Sequence, residues 1–231
     1  MKEIEIIAFD ADDTLWDNQP LFDNIEKELC DILSDYGDES QISTALFNVE
    51  MNNMESYGYG AKAFTLSMIE TALKVSNYKI PAKVIEQIID KGKYLLDMPI
   101  KVLDGVDETL RLLSKNYKLV VSTKGDLLDQ QRKLIRSGLA DYFDHVEIMA
   151  DKTEKEYKKL ILSLGVLPKD ILMVGNSLKS DIYPALAVGM NAAYIPYHTM
   201  WKHELANEDI MNDRFFKVDA FSQLNSLLGV K

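Results

Sequence analysis

A short apolar run near the start of the chain, residues 4–9, is followed at once by three carboxylates, Asp10, Asp12 and Asp13. The run is rich in isoleucine, too short for a helix and closed by a polar segment, so it predicts a buried β-strand. Side chains repeat every two residues along a strand, and we therefore expect Asp10 and Asp12 to point the same way at its end. Two close carboxylates repel each other unless a cation or a shared proton relieves the repulsion. The alternative is a polar loop in which Asp12 or Asp13 caps a helix.

The rest of the chain divides into a helical block and an alternating block. From about residue 17 to 98, apolar residues recur at three- and four-residue steps, which is the period of a helix face. Beyond this block, four short apolar runs alternate with helical patterns; they cover residues 118–123, 145–149, 170–174 and 192–195. Such alternation is typical of a parallel α/β architecture. We predict a Rossmann-like, doubly wound parallel sheet core of residues 1–16 and 100–231, with an inserted all-helical domain of residues 17–99.

The composition disfavours several partners and compartments. The formal net charge of -11 over 231 residues repels nucleic acid and anionic membrane surfaces. Cys30 is the single cysteine, so no internal disulfide can form and a reducing compartment is favoured. The first residues lack the blocks of a signal peptide, and no apolar run approaches the ~18 residues that span a bilayer. We expect a cytoplasmic protein that acts on a small molecule.

Polar residues follow each of the first four predicted strands. In chain order they are Asp10, Asp12, Thr14, Ser122, Thr123, Lys124, Lys152, Asn176, Ser177 and Asp181. In an open parallel sheet, ligands bind beyond the carboxyl ends of the strands, so these side chains are expected to converge there. Lys155 is an alternative to Lys152, but only Lys152 lies at a strand exit. The pattern predicts one functional site built from four strand ends.

The order of these residues resembles that of the haloacid dehalogenase-like hydrolase superfamily, a large group that consists mostly of magnesium-dependent phosphatases. Residues 10–15 (DADDTL) match its nucleophile motif, and residues 121–125 (VSTKG) match its second motif. Lys152 stands where the third motif has a lysine, and residues 175–181 (GNSLKSD) resemble the acidic fourth motif. The resemblance implies that the helical insert is a cap domain of the helical, C1 type.

The resemblance also implies catalytic roles. Asp10 would attack phosphorus and form an aspartyl-phosphate, which splits the hydrolysis into two easier steps. Asp12 would protonate the leaving oxygen and later accept a proton from the attacking water. Thr123 and Lys152 would stabilise the charge on the phosphoryl group.

Mg²⁺ is the cofactor that the resemblance implies. Its ligands would be the Asp10 carboxylate, the backbone carbonyl of Asp12, and the side chains of Asn176 and Asp181. The family usually has an aspartate in the place of Asn176. An amide oxygen can coordinate Mg²⁺ but carries no charge, which favours Asp181 as the anionic partner.

The remaining candidates are substrate-binding residues: Thr14, Trp16, Asn18, Tyr57, Tyr59, Ser122 and Lys124. Trp16 and Asn18 lead from the nucleophile motif towards the insert. Tyr57 and Tyr59 lie in a glycine-containing loop of the insert that either closes over a substrate or simply joins two helices.

The main interpretation is a magnesium-dependent phosphatase that hydrolyses phosphomonoesters of small soluble metabolites. A phosphomutase of the same fold is the first alternative. A 2-haloacid dehalogenase is disfavoured, because the relatives that remove halogen from carbon have no aspartate two places beyond the nucleophile, where this chain has Asp12. A non-catalytic binding protein on the same scaffold is the third alternative, and Asn176 is the only hint of it.

Overall fold

The computed structural model describes residues 4–207 and 209–230. Residues 1–3, 208 and 231, which the sequence prediction assigns to the sheet domain, lie outside the described residues. The strands are Ile6–Phe9 (β1), Lys118–Lys124 (β2), His145–Met149 (β3), Ile171–Gly175 (β4), Asn191–Tyr194 (β5) and Phe215–Lys217 (β6). The α-helices of the described residues are Gln19–Ile32 (α1), Glu39–Tyr57 (α2), Ala61–Val75 (α3), Ala82–Asp97 (α4), Val106–Leu113 (α5), Leu127–Arg136 (α6), Glu154–Leu164 (α7), Tyr183–Ala187 (α8) and Gln223–Leu228 (α9).

The six strands form one sheet in the order β3-β2-β1-β4-β5-β6, and every neighbouring pair is parallel. This is the strand order of a Rossmann-like, doubly wound sheet. The predicted fold class is confirmed. Strand β1 lies in the middle, between β2 and β4, so the residues that follow these three strands emerge side by side.

The apolar run of β1 is buried on both faces. Ile7 and Phe9 belong to the core layer that α5 and α9 cover, and Phe9 stacks on Phe221 with ring centroids 5.6 Å apart. Ile6 and Ala8 belong to the opposite layer, which α7 and α8 cover. A strand covered on both faces needs apolar residues at every position, which explains why the run does not alternate with polar residues.

The structure differs from the sequence prediction in two places beyond β4. Strand β6 was not predicted, because its three residues at the sheet edge are too few to show a period. Residues Leu178–Ile182 form a single π-helical turn directly before α8, where the sequence indicated only a helical pattern after the fourth strand. The turn is defined by the hydrogen bond from the Ile182 N–H to the Ser177 carbonyl, at 3.2 Å.

The chain forms two compact units. The first comprises the chain through Gln19, Ile100–Lys124 and the chain from Gln130 onward; the second comprises Pro20–Pro99 and Gly125–Asp129. The second unit contains helices α2 to α4 and nearly all of α1, which bury an apolar cluster of their own. Within it, Lys62 pairs with Asp126 at 2.9 Å. No helix in the described part of the chain is long and apolar enough to cross a membrane.

The two chain segments of the first unit that border the helical insert lie against each other. Trp16 and Val102 form an antiparallel bridge. The Asp17 N–H donates to the Lys101 carbonyl at 3.0 Å, and the Lys101 ammonium pairs with the Asp17 carboxylate at 2.8 Å. The Tyr197 hydroxyl donates to the other Asp17 oxygen at 2.5 Å. The insert therefore departs from and returns to adjacent points of the first unit.

Gly92 of α4 provides a test of packing in the helical unit. A Cβ at this position would overlap the Thr65 side chain of α3. Replacing glycine by alanine in an exposed helix stabilises it by about 1 kcal/mol. Here we expect the opposite sign: Gly92→Ala should lower the free energy of unfolding by about 1–3 kcal/mol, because the core is overpacked. Urea denaturation measures the change.

The matched control is Lys93→Ala, at the exposed neighbouring position of the same helix. Its effect should stay within about 0.5 kcal/mol. A Gly92→Ala variant more stable than the wild type would contradict the packing described here.

Candidate active site

The candidate site lies at the carboxyl ends of the central strands, within the first unit. Asp10 follows β1 directly, and its N–H donates to the Val174 carbonyl of β4 at 2.8 Å. This hydrogen bond continues the sheet ladder by one residue and fixes the direction in which the Asp10 side chain points. Thr123 is the last residue but one of β2, Lys152 follows β3, and the loop after β4 begins with Asn176. The sheet topology thus brings together residues that are far apart in the sequence.

A buried lysine lies between two buried aspartates at the centre of the site. The Lys152 ammonium pairs with Asp10 Oδ1, and with Asp181 Oδ1 at 2.5 Å. The side chains of Lys152 and Asp181 are 1% exposed, and that of Asp10 is 9% exposed. Lys155, by contrast, is exposed on α7. Charges buried this deeply are stable only when they are paired, so the three side chains depend on one another.

Burial and pairing act in opposite directions on these groups. Burial raises the pKa of Asp10 to about 7, although the Lys152 charge opposes the shift. Burial also disfavours the Lys152 ammonium, but the carboxylates of Asp10 and Asp181 outweigh it and raise the pKa of the lysine. The lysine is therefore a permanent positive charge beside Asp10.

The second oxygen of Asp10 faces Thr14 and Asn176. The Thr14 hydroxyl lies 3.1 Å from Asp10 Oδ2 and 3.3 Å from Asn176 Oδ1, and it has one proton to share between these acceptors. Gly175 precedes Asn176, and a Cβ on this glycine would collide with the Asp181 carboxylate. Only glycine permits this approach of the loop to Asp181.

The oxygen atoms in this corner fit a small hard cation. Asp10, Asn176 and Asp181 supply carboxylate and amide oxygens, which are the ligands that Mg²⁺ prefers. The acceptors around Thr14 outnumber the protons available to them, and a cation would satisfy the remainder. Among residues 4–207 and 209–230, no group of three or more His, Cys, Asp and Glu side chains is arranged to hold a metal ion. A cation held here would take carboxylate oxygens from Asp10 and Asp181 and an amide oxygen from Asn176.

Three donors hold the Asp12 carboxylate. Trp16 Nε1 and Lys133 Nζ donate to Asp12 Oδ1 at 2.7 and 3.0 Å, and Gln130 Nε2 donates to Asp12 Oδ2 at 2.9 Å. Gln130 Nε2 also lies 3.0 Å from the Thr123 hydroxyl oxygen and can donate a hydrogen bond to it. Gln130 and Lys133 were not among the residues that the sequence predicted for the site. The two residues are three positions apart, and therefore on one face, in a helix that directly follows a polar strand end; this pattern could have indicated them.

Asp13 has a structural role. Its carboxylate accepts hydrogen bonds from the N–H groups of Asn18 and Gln19 at 2.8 and 3.0 Å, and α1 begins at Gln19. Burial raises the pKa of Asp13 to about 8, despite these hydrogen bonds. The backbone of Asp13 has a φ of 62°, in the left-handed region that aspartate and asparagine tolerate better than most residues. Asp13 thus accepts hydrogen bonds from the start of α1, although the residue that directly precedes the helix is Asn18.

The residues of the second motif point in different directions. Thr123 and Ser122 alternate on the two faces of β2, and both side chains are buried. A contact of Ser122 with substrate stays a prediction. The Lys124 ammonium pairs with the Glu204 carboxylate and donates to the Ser180 hydroxyl at 2.9 Å. Its charge is therefore compensated by the protein itself.

The other predicted substrate contacts are distributed over both units. Trp16 is 1% exposed and directs its indole N–H to Asp12. The Asn18 side chain accepts a hydrogen bond from Lys133 at 2.7 Å. Tyr57 and Tyr59 belong to the helical unit, where Tyr57 is exposed. A contact of either tyrosine with substrate stays a prediction.

Comparison with known proteins identifies the class of protein to which this fold and site belong. Residues 4–189 match the family model described as haloacid dehalogenase-like hydrolase. The chain belongs to this family.

The relatives specify the type of hydrolase. The chain is 30% identical to a glyceraldehyde 3-phosphate phosphatase from Pyrococcus furiosus over 85% of its own length and 82% of the relative's. It is 26% identical to a 5-amino-6-(5-phospho-D-ribitylamino)uracil phosphatase from Escherichia coli, over 84% of both chains. A haloacid dehalogenase-like hydrolase from Xanthomonas campestris superimposes with a TM-score of 0.88 at 34% identity, covering 98% of this chain and 91% of that one. The predicted superfamily and the predicted enzyme class, a phosphatase, are confirmed.

The Lys152→Met variant tests the buried ion cluster. We expect a loss of roughly 3–5 kcal/mol in the free energy of unfolding at about pH 8 in EDTA, because two buried carboxylates lose their counter-ion. A carboxyl whose pKa is higher in the folded state favours folding at low pH, and this contribution is lost as the pH rises through about 7. The loss should therefore shrink at about pH 6. Urea denaturation at both pH values measures it.

Lys155→Met is the control, since Lys155 is exposed three residues away. It should leave stability within about 0.5 kcal/mol of the wild type. Equal losses in the two variants, or a Lys152→Met loss that does not depend on pH, would disprove the interpretation.

Proposed function

We propose that this phosphatase is magnesium-dependent and hydrolyses phosphomonoesters of small metabolites through an aspartyl-phosphate on Asp10. The observation that carries the proposal is the position of the Asp10 carboxylate at the end of the central strand, with the buried Lys152 ammonium against it and Asp12 two residues further on.

Asp10 and Asp12 would divide the chemistry between them. Asp10 is the nucleophile, and its attack on phosphorus transfers the phosphoryl group to the protein. Asp12 protonates the leaving oxygen and then removes a proton from the water that cleaves the intermediate. The donors from Trp16, Gln130 and Lys133 fix the Asp12 carboxylate for this work.

Lys152 and Thr123 would stabilise the charge on the transferring phosphoryl group. The Lys152 ammonium is already desolvated and oriented, so it needs no rearrangement at the moment of reaction. Gln130 Nε2 shares its two N–H groups among Asp12, the Lys124 carbonyl and the Thr123 oxygen; when it donates to Thr123, the hydroxyl proton is left to be donated to a phosphoryl oxygen. A preorganised donor of this kind is typically worth about 3 kcal/mol of barrier.

The residues that would hold Mg²⁺ are Asp10, Asn176 and Asp181, together with the backbone carbonyl of Asp12. When bound, the ion would offset the repulsion between a phosphate dianion and the carboxylates.

The substrate is a small phosphorylated metabolite, with no nucleic acid or membrane as partner. The names of the relatives support this class, since each names a small phosphate ester. The net charge of -11 repels larger polyanions. The buried free thiol of Cys30 fits a cytoplasmic enzyme. We assign the helical insert as the cap that selects the substrate, because it interrupts the core directly after the nucleophile motif; the loop of Tyr57 and Tyr59 is the candidate for contact.

The proposal predicts release of inorganic phosphate from a panel of phosphorylated metabolites that includes glyceraldehyde 3-phosphate. Activity should require Mg²⁺, disappear in EDTA and need no bisphosphate activator, which distinguishes hydrolysis from a phosphomutase reaction. Asp10→Asn should reduce kcat/KM by a factor on the order of 10³ or more, because the amide cannot act as the nucleophile. A colorimetric phosphate assay measures both.

Asp13→Asn is the matched control, since the same change three residues away alters a capping group. It should retain activity, because an asparagine oxygen can accept the same backbone hydrogen bonds. Activity that survives in Asp10→Asn would refute the proposed nucleophile. A wild type that binds phosphate esters without hydrolysing them would favour the binding-protein alternative, and release of chloride from a 2-haloacid without metal would favour the dehalogenase.

The role of Asp12 predicts a dependence on the leaving group. An acidic phenol leaves without a proton, whereas an alcohol must be protonated as it departs. Asp12→Asn should therefore lower kcat/KM for an alkyl phosphate by about 10²- to 10⁴-fold and for p-nitrophenyl phosphate by much less. Steady-state kinetics on the two substrates provide the comparison, and equal losses on both would argue against general acid catalysis by Asp12.

A further inference from the structure

Glu204, in the loop that follows β5, is a buried carboxylate with three donors. Its Oε2 atom accepts hydrogen bonds from the hydroxyls of Ser177 and Ser180 at 2.5 and 2.6 Å. Its Oε1 atom pairs with the Lys124 ammonium. The residue is 9% exposed, and none of these contacts involves a group with an assigned catalytic role.

The two serines belong to the loop that carries the candidate metal ligands Asn176 and Asp181. The Ser177 N–H donates to Asp181 Oδ2 at 2.9 Å, and the Ser177 hydroxyl accepts from the Ser180 N–H at 3.0 Å. The position of Ser177 is thus linked directly to the orientation of the Asp181 carboxylate. By binding both serine hydroxyls, Glu204 holds the two ends of this turn together.

The pairing with Lys124 extends the connection across the site. Strand β1 lies between β2, which ends at Lys124, and β4, which precedes Asn176. Glu204 therefore joins the exits of two strands that are not neighbours in the sheet. Lys124 and the serine hydroxyls lower the pKa of Glu204 to about 2, against the effect of burial, so the carboxylate is ionised at neutral pH.

We propose that Glu204 is a positioning residue that fixes the loop of residues 176–181 and thereby the oxygen atoms of Asn176 and Asp181 that bind Mg²⁺. The inference rests on the metal site of the proposed function. Because Asn176 brings no charge, the affinity of the site for the ion depends more on the placement of its oxygens than it would with a third carboxylate. Groups that orient metal ligands typically change metal affinity by about 10- to 100-fold when they are removed.

The experiment measures Mg²⁺ binding to the metal-free full-length protein by isothermal titration calorimetry, without substrate. In Glu204→Gln the negative charge that pairs with Lys124 is lost, and the amide nitrogen must face either the Lys124 ammonium or the serine hydroxyls, which would then have to accept instead of donate. We expect the dissociation constant for Mg²⁺ to rise about tenfold or more. Glu5→Gln, at the exposed opposite end of β1, should bind Mg²⁺ as the wild type does.

A kinetic readout separates positioning from a general loss of structure. In Glu204→Gln the Mg²⁺ concentration for half-maximal activity should rise by the same factor of about ten, and saturating Mg²⁺ should restore kcat. If Glu204→Gln does not fold, Ser180→Ala replaces it as the test, with an expected rise in the Mg²⁺ dissociation constant of about threefold.

The outcomes distinguish this inference from the proposed function. Binding of Mg²⁺ by Glu204→Gln within twofold of the wild type, or an unchanged constant for Ser180→Ala where that variant serves as the test, overturns the role of Glu204 alone. A wild type that does not bind Mg²⁺ overturns both. Weakened binding in the variant of a protein that releases no phosphate supports the positioning role and rejects the phosphatase mechanism.

Discussion

The structure of the site depends on one interaction, the burial of the Lys152 ammonium between Asp10 and Asp181. Removing any of these charges from water is costly, and each is tolerated only because the others are present. The three residues come from the end of β1, the segment after β3 and the loop after β4. A single ion cluster therefore holds together three segments that follow different strands of the sheet. An apolar cluster of the same volume would be at least as stable, so the arrangement is best understood as a requirement of the chemistry.

The fold could be predicted from the sequence because the patterns that indicate its strands and helices are local. The run at β1 is apolar at every position, and the later strands alternate with helical periods, which together define a parallel sheet covered on both faces. The site followed from the sheet, since parallel strands deliver their next residues to one edge. The position of Lys152 at a strand exit distinguished it from Lys155. In the structure the Lys152 side chain is buried, whereas Lys155 is exposed.

The contacts that the sequence did not reveal depend on tertiary packing. Gln130 and Lys133 look like ordinary polar residues of a helix, and only the tertiary structure brings them to Asp12. Glu204 lies in a segment without periodicity, so nothing marks it as buried. Strand β6 is three residues long and has no pattern of its own. The adjacent carboxylates Asp12 and Asp13 were ambiguous because a catalytic site and the start of a helix use the same residue type. In the structure Asp13 accepts hydrogen bonds from the start of α1, whereas Asp12 accepts them from Trp16, Gln130 and Lys133.

The bridge between Trp16 and Val102 has a consequence for how this architecture changes over evolutionary time. The backbone on either side of the insert is already hydrogen-bonded within the first unit, so the intervening chain closes a loop whose ends are held together independently of its contents. The entropy of closing such a loop grows only slowly with its length. Segments of different size and helix count can therefore be exchanged at this point while the parallel register of the sheet is preserved. The helical insert can therefore be replaced as a module without disturbing the ion cluster of Lys152, Asp10 and Asp181.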